Sequence, residues 1–288
     1  RVFHTVSDYI DESNNDYEAI IASRGETLSG PMFSLNLFAD LTEEEFTVKY
    51  TSGPQAAAGD QFLEAEESFP PRSSSQSKDA DEKKSSSAGL AQAGYDIRIR
   101  TQGSCGSCWA HAAVAAFEKH YFDKTRQRMD FSQQELVDCD NQSAGCNGGF
   151  ENLAVKYIYY TGISPAANYP YRGVQGPCRN GATPRTKIGI YMWSKPYNTQ
   201  IAQYTASKGY HAALSMFASG KARFMSNTND VYDASASGEC GATINHFVNF
   251  IGYEGNRVIN MFNSFGTSWG NQGGKRIRTC SDTAFWGA

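Results

Sequence analysis

The sequence predicts an α+β fold, in which a helical lobe and a β lobe enclose a cleft. Apolar residues after Cys108, from Trp109 to Phe117, recur at helical spacing. From about residue 188 onward, short alternating runs such as residues 246–253 and 258–262 are separated by Gly and Asn, which predicts antiparallel strands. Elements of these two kinds must share a packed core, and ligand sites favour the cleft between two lobes.

Composition excludes several classes of protein. The chain has 288 residues, enough for a substantial core, and a net charge of −4. No basic cluster is longer than residues 275–278, so we expect no nucleic-acid partner. No apolar run reaches the roughly 18 residues of a membrane span, so we expect none. No apolar signal region opens the chain, so we expect any signal peptide to be absent from it.

The charge is divided unevenly along the chain. Residues 1–87 carry 7 Lys and Arg against 17 Asp and Glu, a net of −10, whereas residues 88–288 carry 19 against 13, a net of +6. From about residue 52 to 88 the composition shifts to Gly, Pro, Ser, Ala and charged residues, which is typical of a linker. We therefore predict two parts, residues 1–87 and 88–288, with a low-complexity linker between their folded segments.

Residues 102–110, QGSCGSCWA, carry the strongest chemical signal. The apolar period places Cys108 at the N-terminus of a helix, where unsatisfied backbone N–H groups and the helix dipole favour a nucleophilic thiolate. Gln102 lies six residues upstream, and its amide is suited to donate to an oxyanion beside the backbone N–H of Cys108. The stretch predicts nucleophilic catalysis by Cys108.

Two other interpretations of the same cysteines were weighed. Cys105 and Cys108 have the spacing of a redox dithiol, and with His111 they are part of a zinc ligand set. A structural zinc site usually needs a second paired motif, and the chain has no other C-x-x-C. Redox dithiols are expected in cytosolic chains, whereas seven cysteines favour an oxidising compartment, with three disulfides and one free thiol.

The same stretch resembles the active-site signature of papain-like cysteine proteases, C-G-[SA]-C-[WY]. The resemblance implies a papain-like two-lobed fold with a helical left lobe and an antiparallel, barrel-like β right lobe. It also implies a cysteine endopeptidase that is made as an inactive proenzyme and needs neither cofactor nor metal. The implied partners are protein or peptide substrates and the chain's own propeptide. We further expect a monomer that is lysosomal, vacuolar or secreted.

Residues 1–87 resemble the inhibitory propeptides of this family. Apolar and polar positions near the start have the spacing of the last part of the family's propeptide helix, so we expect the propeptide to be N-terminally incomplete. A second propeptide motif follows before the linker. The alternative is an unrelated small helical domain. The positions that carry the resemblance are Phe3, Val6, Ile10 and Asn14 for the first motif, and Asn36, Phe38 and Asp40 for the second.

A cysteine nucleophile needs a base, and the base needs a group that orients it. The five histidines are His4, His111, His120, His211 and His246. His246 follows Cys108 by 138 residues, within the interval of this family, so it is the expected base. We expect His111 on the face of the nucleophile but directed along the helix, and His211 at a surface or strand edge.

The orienting group implied by the resemblance is Asn263, in the run Asn-Ser-Phe-Gly-Thr-Ser-Trp-Gly. Phe265 stands where the family has a Trp that shields the His–Asn hydrogen bond from water, and Trp269 is retained. A Phe keeps the apolar cover but has less ring area and no indole N–H, so we expect a small effect on catalysis.

The resemblance also implies three disulfides, which would leave Cys108 free: Cys105 with Cys146, Cys139 with Cys178, and Cys240 with Cys280. Between them, residues 131–139 predict a short helix with Ser132 as N-cap and Glu135 closing a capping box. Residues 145–149 predict a tight glycine turn. Asn141 begins the one glycosylation sequon that we find, in a loop.

Substrate-binding positions follow from the resemblance alone. An apolar second subsite partly filled by Phe285 would favour a medium aliphatic or aromatic side chain, and Glu151 at its rim is unusual. The alternative function is a catalytically impaired homologue that serves as a binding or structural module, supported by His111, Phe265 and a shortened segment before Cys280. The expected substrate-binding residues are Gly148, Gly149, Phe150, Ser215, Ile244, Asn245 and Phe285.

Overall fold

The computed structural model describes residues 95–179, 185–187, 198–218, 224, 231–282 and 285. The expected propeptide and linker, His4 and the alternating run at 188–193 lie outside these residues. Within them the predicted α+β fold is confirmed, since the helices come first and a five-stranded sheet follows. No helix among the described residues is long and apolar enough to cross a membrane.

The helical part starts at the cysteine, as the apolar spacing predicted. Its first helix ends where Arg126 takes a left-handed conformation, with φ of 57°, and its backbone N–H donates to the Phe122 carbonyl at 2.7 Å. This bond caps the helix C-terminus. The elements are α1 (Cys108–Thr125), α2 (Gln133–Cys139), a single 3₁₀ turn (Gly145–Asn147) and α3 (Glu151–Tyr160).

Ser132 caps α2, as predicted, because its hydroxyl accepts from the Glu135 N–H at 2.9 Å. The other half of the predicted capping box is wrong. The Glu135 carboxylate accepts from the Ser164 N–H at 2.7 Å and pairs with Arg185 at 2.9 Å, while the Ser132 N–H donates to the Ser164 carbonyl. Tertiary partners therefore take the carboxylate that a local motif would have used.

The second half forms one sheet in the order β1-β3-β4-β5-β2. Its pairs are antiparallel, as predicted, except that β2 pairs parallel to β5 at the end of the sheet. A helix, α4 (Thr199–Ser207), is capped by Asn198 and packs on β3. The strands are β1 (Ala212–Met216), β2 (Val231–Asp233), β3 (His246–Gly255), β4 (Val258–Phe262) and β5 (Gly274–Arg278).

Two hydrophobic cores meet along α1 and β3. The helical core contains Trp109, Phe131 and Leu136, and it also includes Phe247, the second residue of β3. The β core contains Phe250 and Trp269, which are almost fully buried. Because β3 contributes to both cores, the start of this strand is held against the start of α1 by apolar burial.

Three disulfides join Cys105 to Cys146, Cys139 to Cys178, and Cys240 to Cys280. The bridged residues are 41, 39 and 40 positions apart in the sequence. In the chain-entropy model, closing a loop of this size stabilises the fold by about 4 kcal/mol. Cys108 is the free cysteine, and it is buried.

A buried ion pair fixes the chain segment that leads into the cysteine stretch. The Arg100 guanidinium makes two bonds of 2.8 Å to the Glu118 carboxylate on α1, and it also reaches Asp130 at 3.1 Å. The same carboxylate accepts from the Phe131 N–H at 2.8 Å. Burial raises the pKa of Glu118, and the charge of Arg100 and its hydrogen bonds oppose that effect.

We predict that Arg100→Leu lowers the free energy of unfolding by about 3–5 kcal/mol, because it leaves a buried carboxylate without its cation. Arg98→Leu is the matched control, since Arg98 is more than half exposed and its ion pair with Asp130 contributes at most about 1 kcal/mol. Denaturant unfolding measures both changes.

The effect of Arg100→Leu has a definite pH dependence. Without the guanidinium, the pKa of Glu118 in the folded chain rises further above its unfolded value, so folding binds a proton and stability falls as pH increases. We expect the loss to be larger at pH 8 than at pH 5. Equal losses for the Arg98 and Arg100 variants would contradict this account of the ion pair.

Candidate active site

Cys108 is the first residue of α1, and its side chain is fully buried. The loop before it is tied down, since the Gly106 N–H donates to the Cys146 carbonyl at 2.8 Å, next to the disulfide of Cys105. The N-cap residue, Ser107, makes no side-chain cap bond, and its hydroxyl lies 2.7 Å from that of Tyr171 instead. The thiol therefore sits at the positive end of an 18-residue helix.

His246 is the first residue of β3 and is also fully buried. Its Nε2 lies 2.8 Å from the Asn263 Oδ1. An amide oxygen only accepts, so this bond places the ring proton on Nε2 and leaves Nδ1 as the basic nitrogen of the neutral imidazole. The Nδ1 atom has no hydrogen-bond partner among the described residues, so it is available to accept a proton.

Phe265 covers the imidazole. The ring centroids of His246 and Phe265 lie 5.0 Å apart, and the two rings are tilted by 35°. On its other contact, the Phe265 ring meets the Trp269 ring edge-on, with 5.9 Å between the centroids. Phe265 is nearly fully buried, so it supplies apolar cover at the position where a Trp was expected. The cover keeps water from the bond between His246 and Asn263, which strengthens it.

Burial lowers the pKa of His246 to about 4, and its hydrogen bond to Asn263 only partly opposes that shift. The imidazole is therefore neutral near pH 7 unless a negative charge lies close to it. A thiolate is such a charge, and a positive imidazole in turn favours the thiolate over the thiol. In a buried site of this kind, the two charges have to form together.

Gln102 is held on both sides of its amide. Its Nε2 donates to the Cys105 carbonyl at 2.8 Å, its Oε1 accepts from the Ser264 hydroxyl at 2.5 Å, and its backbone N–H donates to the Ser264 carbonyl at 2.8 Å. The Ser264 N–H also donates to the Asn263 Oδ1 at 2.8 Å. These bonds hold the amide of Gln102 in a fixed orientation.

Ser264 and Tyr171 also belong to this arrangement, and neither was predicted from the sequence. Tyr171 donates to the Gln102 carbonyl at 2.8 Å, and its hydroxyl also meets that of Ser107. Ser264 directly follows Asn263, so its position in the motif was a usable signal. Tyr171 lies 69 residues from Gln102, and nothing in the local sequence indicates their contact.

The glycine turn lies beside α1. Gly148 has φ of 117°, a conformation that favours glycine. A Cβ on Gly149 would lie 2.6 Å from the Trp109 ring, which in turn donates its indole N–H to the Gly145 carbonyl at 3.2 Å. The turn therefore approaches the residue next to Cys108 as closely as a bare backbone allows. Phe150 follows it, half-buried against the helical core.

The other expected substrate-binding residues lie in the β lobe. Ser215 is in β1 and pairs with Phe247, and Ile244 packs against the β core. Asn245 is buried. Its Oδ1 accepts from the Ala218 N–H and its Nδ2 donates to the Ala218 carbonyl, so it fixes the chain just after β1. Phe285 is buried in the β core.

The remaining described histidines take no part in the hydrogen bond between His246 and Asn263. His211 precedes β1, the edge strand, and burial lowers its pKa to about 3. His120 lies on α1, where burial also lowers its pKa. His111 is buried, and its Nδ1 lies 2.9 Å from the Ser107 carbonyl oxygen. Among the described residues, no group of three or more His, Cys, Asp or Glu is arranged to hold a metal ion.

Known proteins are similar to this chain in sequence and in fold. The family model described as papain family cysteine protease matches residues 88–284. Papain from Carica papaya is 31% identical over 281 residues, covering 96% of this chain and 74% of that protein. A KDEL-tailed cysteine endopeptidase of Arabidopsis thaliana is 34% identical over 255 residues, covering 83% of this chain and 66% of that protein.

Among solved structures, the proform of a cysteine protease that is a major ragweed pollen allergen superposes with a TM-score of 0.60. It is 23% identical and covers 92% of this chain and 80% of its own. At this identity the likeness concerns the fold, and it agrees with the helical part and the sheet described above.

Proposed function

The chain belongs to the papain family of cysteine proteases and is a cysteine endopeptidase that acts on protein substrates, and we propose that Cys108 is its nucleophile. The observation that carries this proposal is the placement of a buried thiol that is in no disulfide at the start of α1, together with a buried imidazole whose Nε2 lies 2.8 Å from the Asn263 Oδ1. His246 is then the general base and acid, with Nδ1 as the reacting nitrogen.

In the proposed reaction, Cys108 and His246 act in two steps, acylation and then hydrolysis of the acyl-enzyme. The Cys108 thiolate attacks the carbonyl carbon of the scissile peptide bond and forms a C–S bond. The His246 imidazolium gives its proton to the leaving nitrogen as the C–N bond breaks, which leaves an acyl-enzyme and a free amine. His246 then takes a proton from water, the resulting hydroxide oxygen attacks the thioester carbon, and the carboxylic product leaves as the thiolate and imidazolium are restored.

Gln102 stabilises the negative oxygen of the two tetrahedral intermediates. Its amide is fixed by Cys105 and Ser264, and in this proposal its Nε2 donates to the oxyanion beside the backbone N–H of Cys108. A donor held in place before the reaction costs no reorganisation when the charge develops. Ser264 thus links the group that orients His246 to the group that binds the oxyanion.

For substrate binding, we propose that the backbone of Gly148 and Gly149 lies along the bound peptide. Phe150, Ser215, Ile244, Asn245 and Phe285 would form a second subsite for a medium aliphatic or aromatic side chain. Ile244 is partly buried and packs against the β core, which contains the buried Phe285, and this supports an apolar wall rather than a polar pocket. Asn245 contributes by fixing the end of β1 through Ala218.

We also propose that residues 1–87 form an inhibitory propeptide and residues 88–288 the peptidase domain. The start of the family match at residue 88 supports the boundary, and the acidic charge of the first part against the basic second part supports their attraction. The disulfide bonds are consistent with the secretory or vacuolar pathway. Within that pathway we propose a lysosomal, vacuolar or secreted location, and a monomeric enzyme.

The test of the proposed nucleophile is Cys108→Ala, compared with the native chain after residues 1–87 have been removed from both by limited proteolysis. We expect peptide hydrolysis to be abolished while the free energy of unfolding changes little, because the substitution removes one buried sulfur atom without disturbing a disulfide. Hydrolysis of a fluorogenic peptide and denaturant unfolding are measured side by side. Turnover in the variant equal to that of the native chain would remove Cys108 as nucleophile, and no turnover in either would favour the catalytically impaired homologue.

A second prediction concerns the oxyanion. Gln102→Ala removes one donor to the transition state and should lower kcat about a hundredfold, or roughly 3 kcal/mol in the barrier, with little change in KM. Gln142→Ala, at an exposed glutamine, is the matched control and should leave kcat unchanged. A loss below threefold for Gln102→Ala would show that this amide does not face the oxyanion.

A further inference from the structure

A small open cleft of about 30 Å³ lies between the chain segment at residues 97–100, helix α1, and strands β3 and β4. Its wall includes Asn263, which orients His246, and His111, which has no role in the proposed reaction. The wall residues that matter here are Ile97, Arg100, His111, Asn263 and Ser264.

Two polar atoms of this wall, His111 Nε2 and Asn263 Nδ2, have no hydrogen-bond partner among the described residues. The two residues are 6% and 5% exposed. A buried polar atom without a partner destabilises the fold, so two of them around one space indicate that something polar binds there.

The donor and acceptor roles of these atoms are fixed by their other bonds. His111 Nδ1 lies 2.9 Å from the Ser107 carbonyl oxygen, which only accepts, so the ring proton is on Nδ1 and Nε2 is an acceptor. Asn263 Oδ1 accepts from His246 and from the Ser264 N–H, so its Nδ2 is a pure donor.

A water molecule can bind between a donor and an acceptor of this kind, because water both donates and accepts hydrogen bonds. We propose that the cleft binds ordered water, which accepts from Asn263 Nδ2 and donates to His111 Nε2, and that His111 is thereby a positioning residue for the bond between His246 and Asn263. The inference rests on the proposed roles of that pair. Buried waters of this kind usually make about three hydrogen bonds.

The charges around His111 keep it an acceptor over the working range. Burial lowers the pKa of His111 to about 4. Its hydrogen bond to the Ser107 carbonyl opposes this shift, whereas the charges of Arg100, on the 97–100 segment, and of the protonated form of His246, on β3, add to it. The exposed Arg98 is also on the cleft wall, while Glu118 and Asp130 bind Arg100, and Tyr171 packs edge-on against the imidazole at 4.9 Å. Above about pH 4, His111 is therefore neutral and its Nε2 accepts.

Two substitutions distinguish the roles of the two ring nitrogens of His111. His111→Gln places a polar group near the position of Nε2 and keeps the water link, whereas His111→Asn places one near Nδ1 and keeps only the local bond to Ser107. We expect kcat of the Gln variant within about twofold of the native chain, and kcat of the Asn variant to fall about five- to tenfold with KM unchanged, as the loss of one hydrogen bond implies. Equal kcat for the two variants would overturn the proposal.

A structural measurement tests the same inference without activity. A crystal structure of the Cys108→Ala chain should show a water within hydrogen-bond distance of both His111 Nε2 and Asn263 Nδ2. A cleft wall in which these two atoms share no water would overturn the water link, whatever the kinetics. If Cys108→Ala retained hydrolysis but the water were present, the proposed nucleophile would fail and the binding site would stand.

Discussion

The packing of α1 against β3 is the constraint on which the candidate site depends. Cys108 and His246 are the first residues of these two elements, and Phe247 of β3 belongs to the same buried cluster as Cys108 and Trp109. Neither lobe contains both residues of the proposed reacting pair. The apolar contact between them therefore does two things, since it stabilises the fold and brings a thiol and an imidazole into one dry environment.

Burial of this site determines its chemistry and also has an energetic cost for the fold. Gln102, Asn263 and His246 are buried polar groups, which would destabilise the chain if they lacked partners. Ser264 meets much of this requirement, because it bonds both Gln102 and Asn263. The same burial that holds the pKa of His246 near 4 makes its positive charge dependent on the thiolate, so the charge is confined to the place where it is used.

Local sequence predicted the parts whose cause is local. The start of α1 followed from the apolar spacing after Cys108, and the cap of α2 from Ser132 and its spacing to Glu135. Contacts between distant segments were not predictable in this way: the parallel pairing of β2 with β5, and the bond from Tyr171 to Gln102. Glu135 is an example of a residue whose partners local sequence does not predict. Its carboxylate binds Ser164 and Arg185 rather than the N-terminus of its own helix.

The central claim is that Cys108 reacts as a thiolate stabilised by a positive His246. The pH dependence of the alkylation of Cys108 by iodoacetamide in the native chain tests it most directly. An isolated thiol has a pKa of about 8.5, so its alkylation rate falls about tenfold for each pH unit below that value. The account predicts rapid labelling of Cys108 that persists at mildly acidic pH and is slowed in an Asn263→Ala variant. A rate that follows one ionisation near pH 8.5, in the native chain as in the denatured chain, would contradict it.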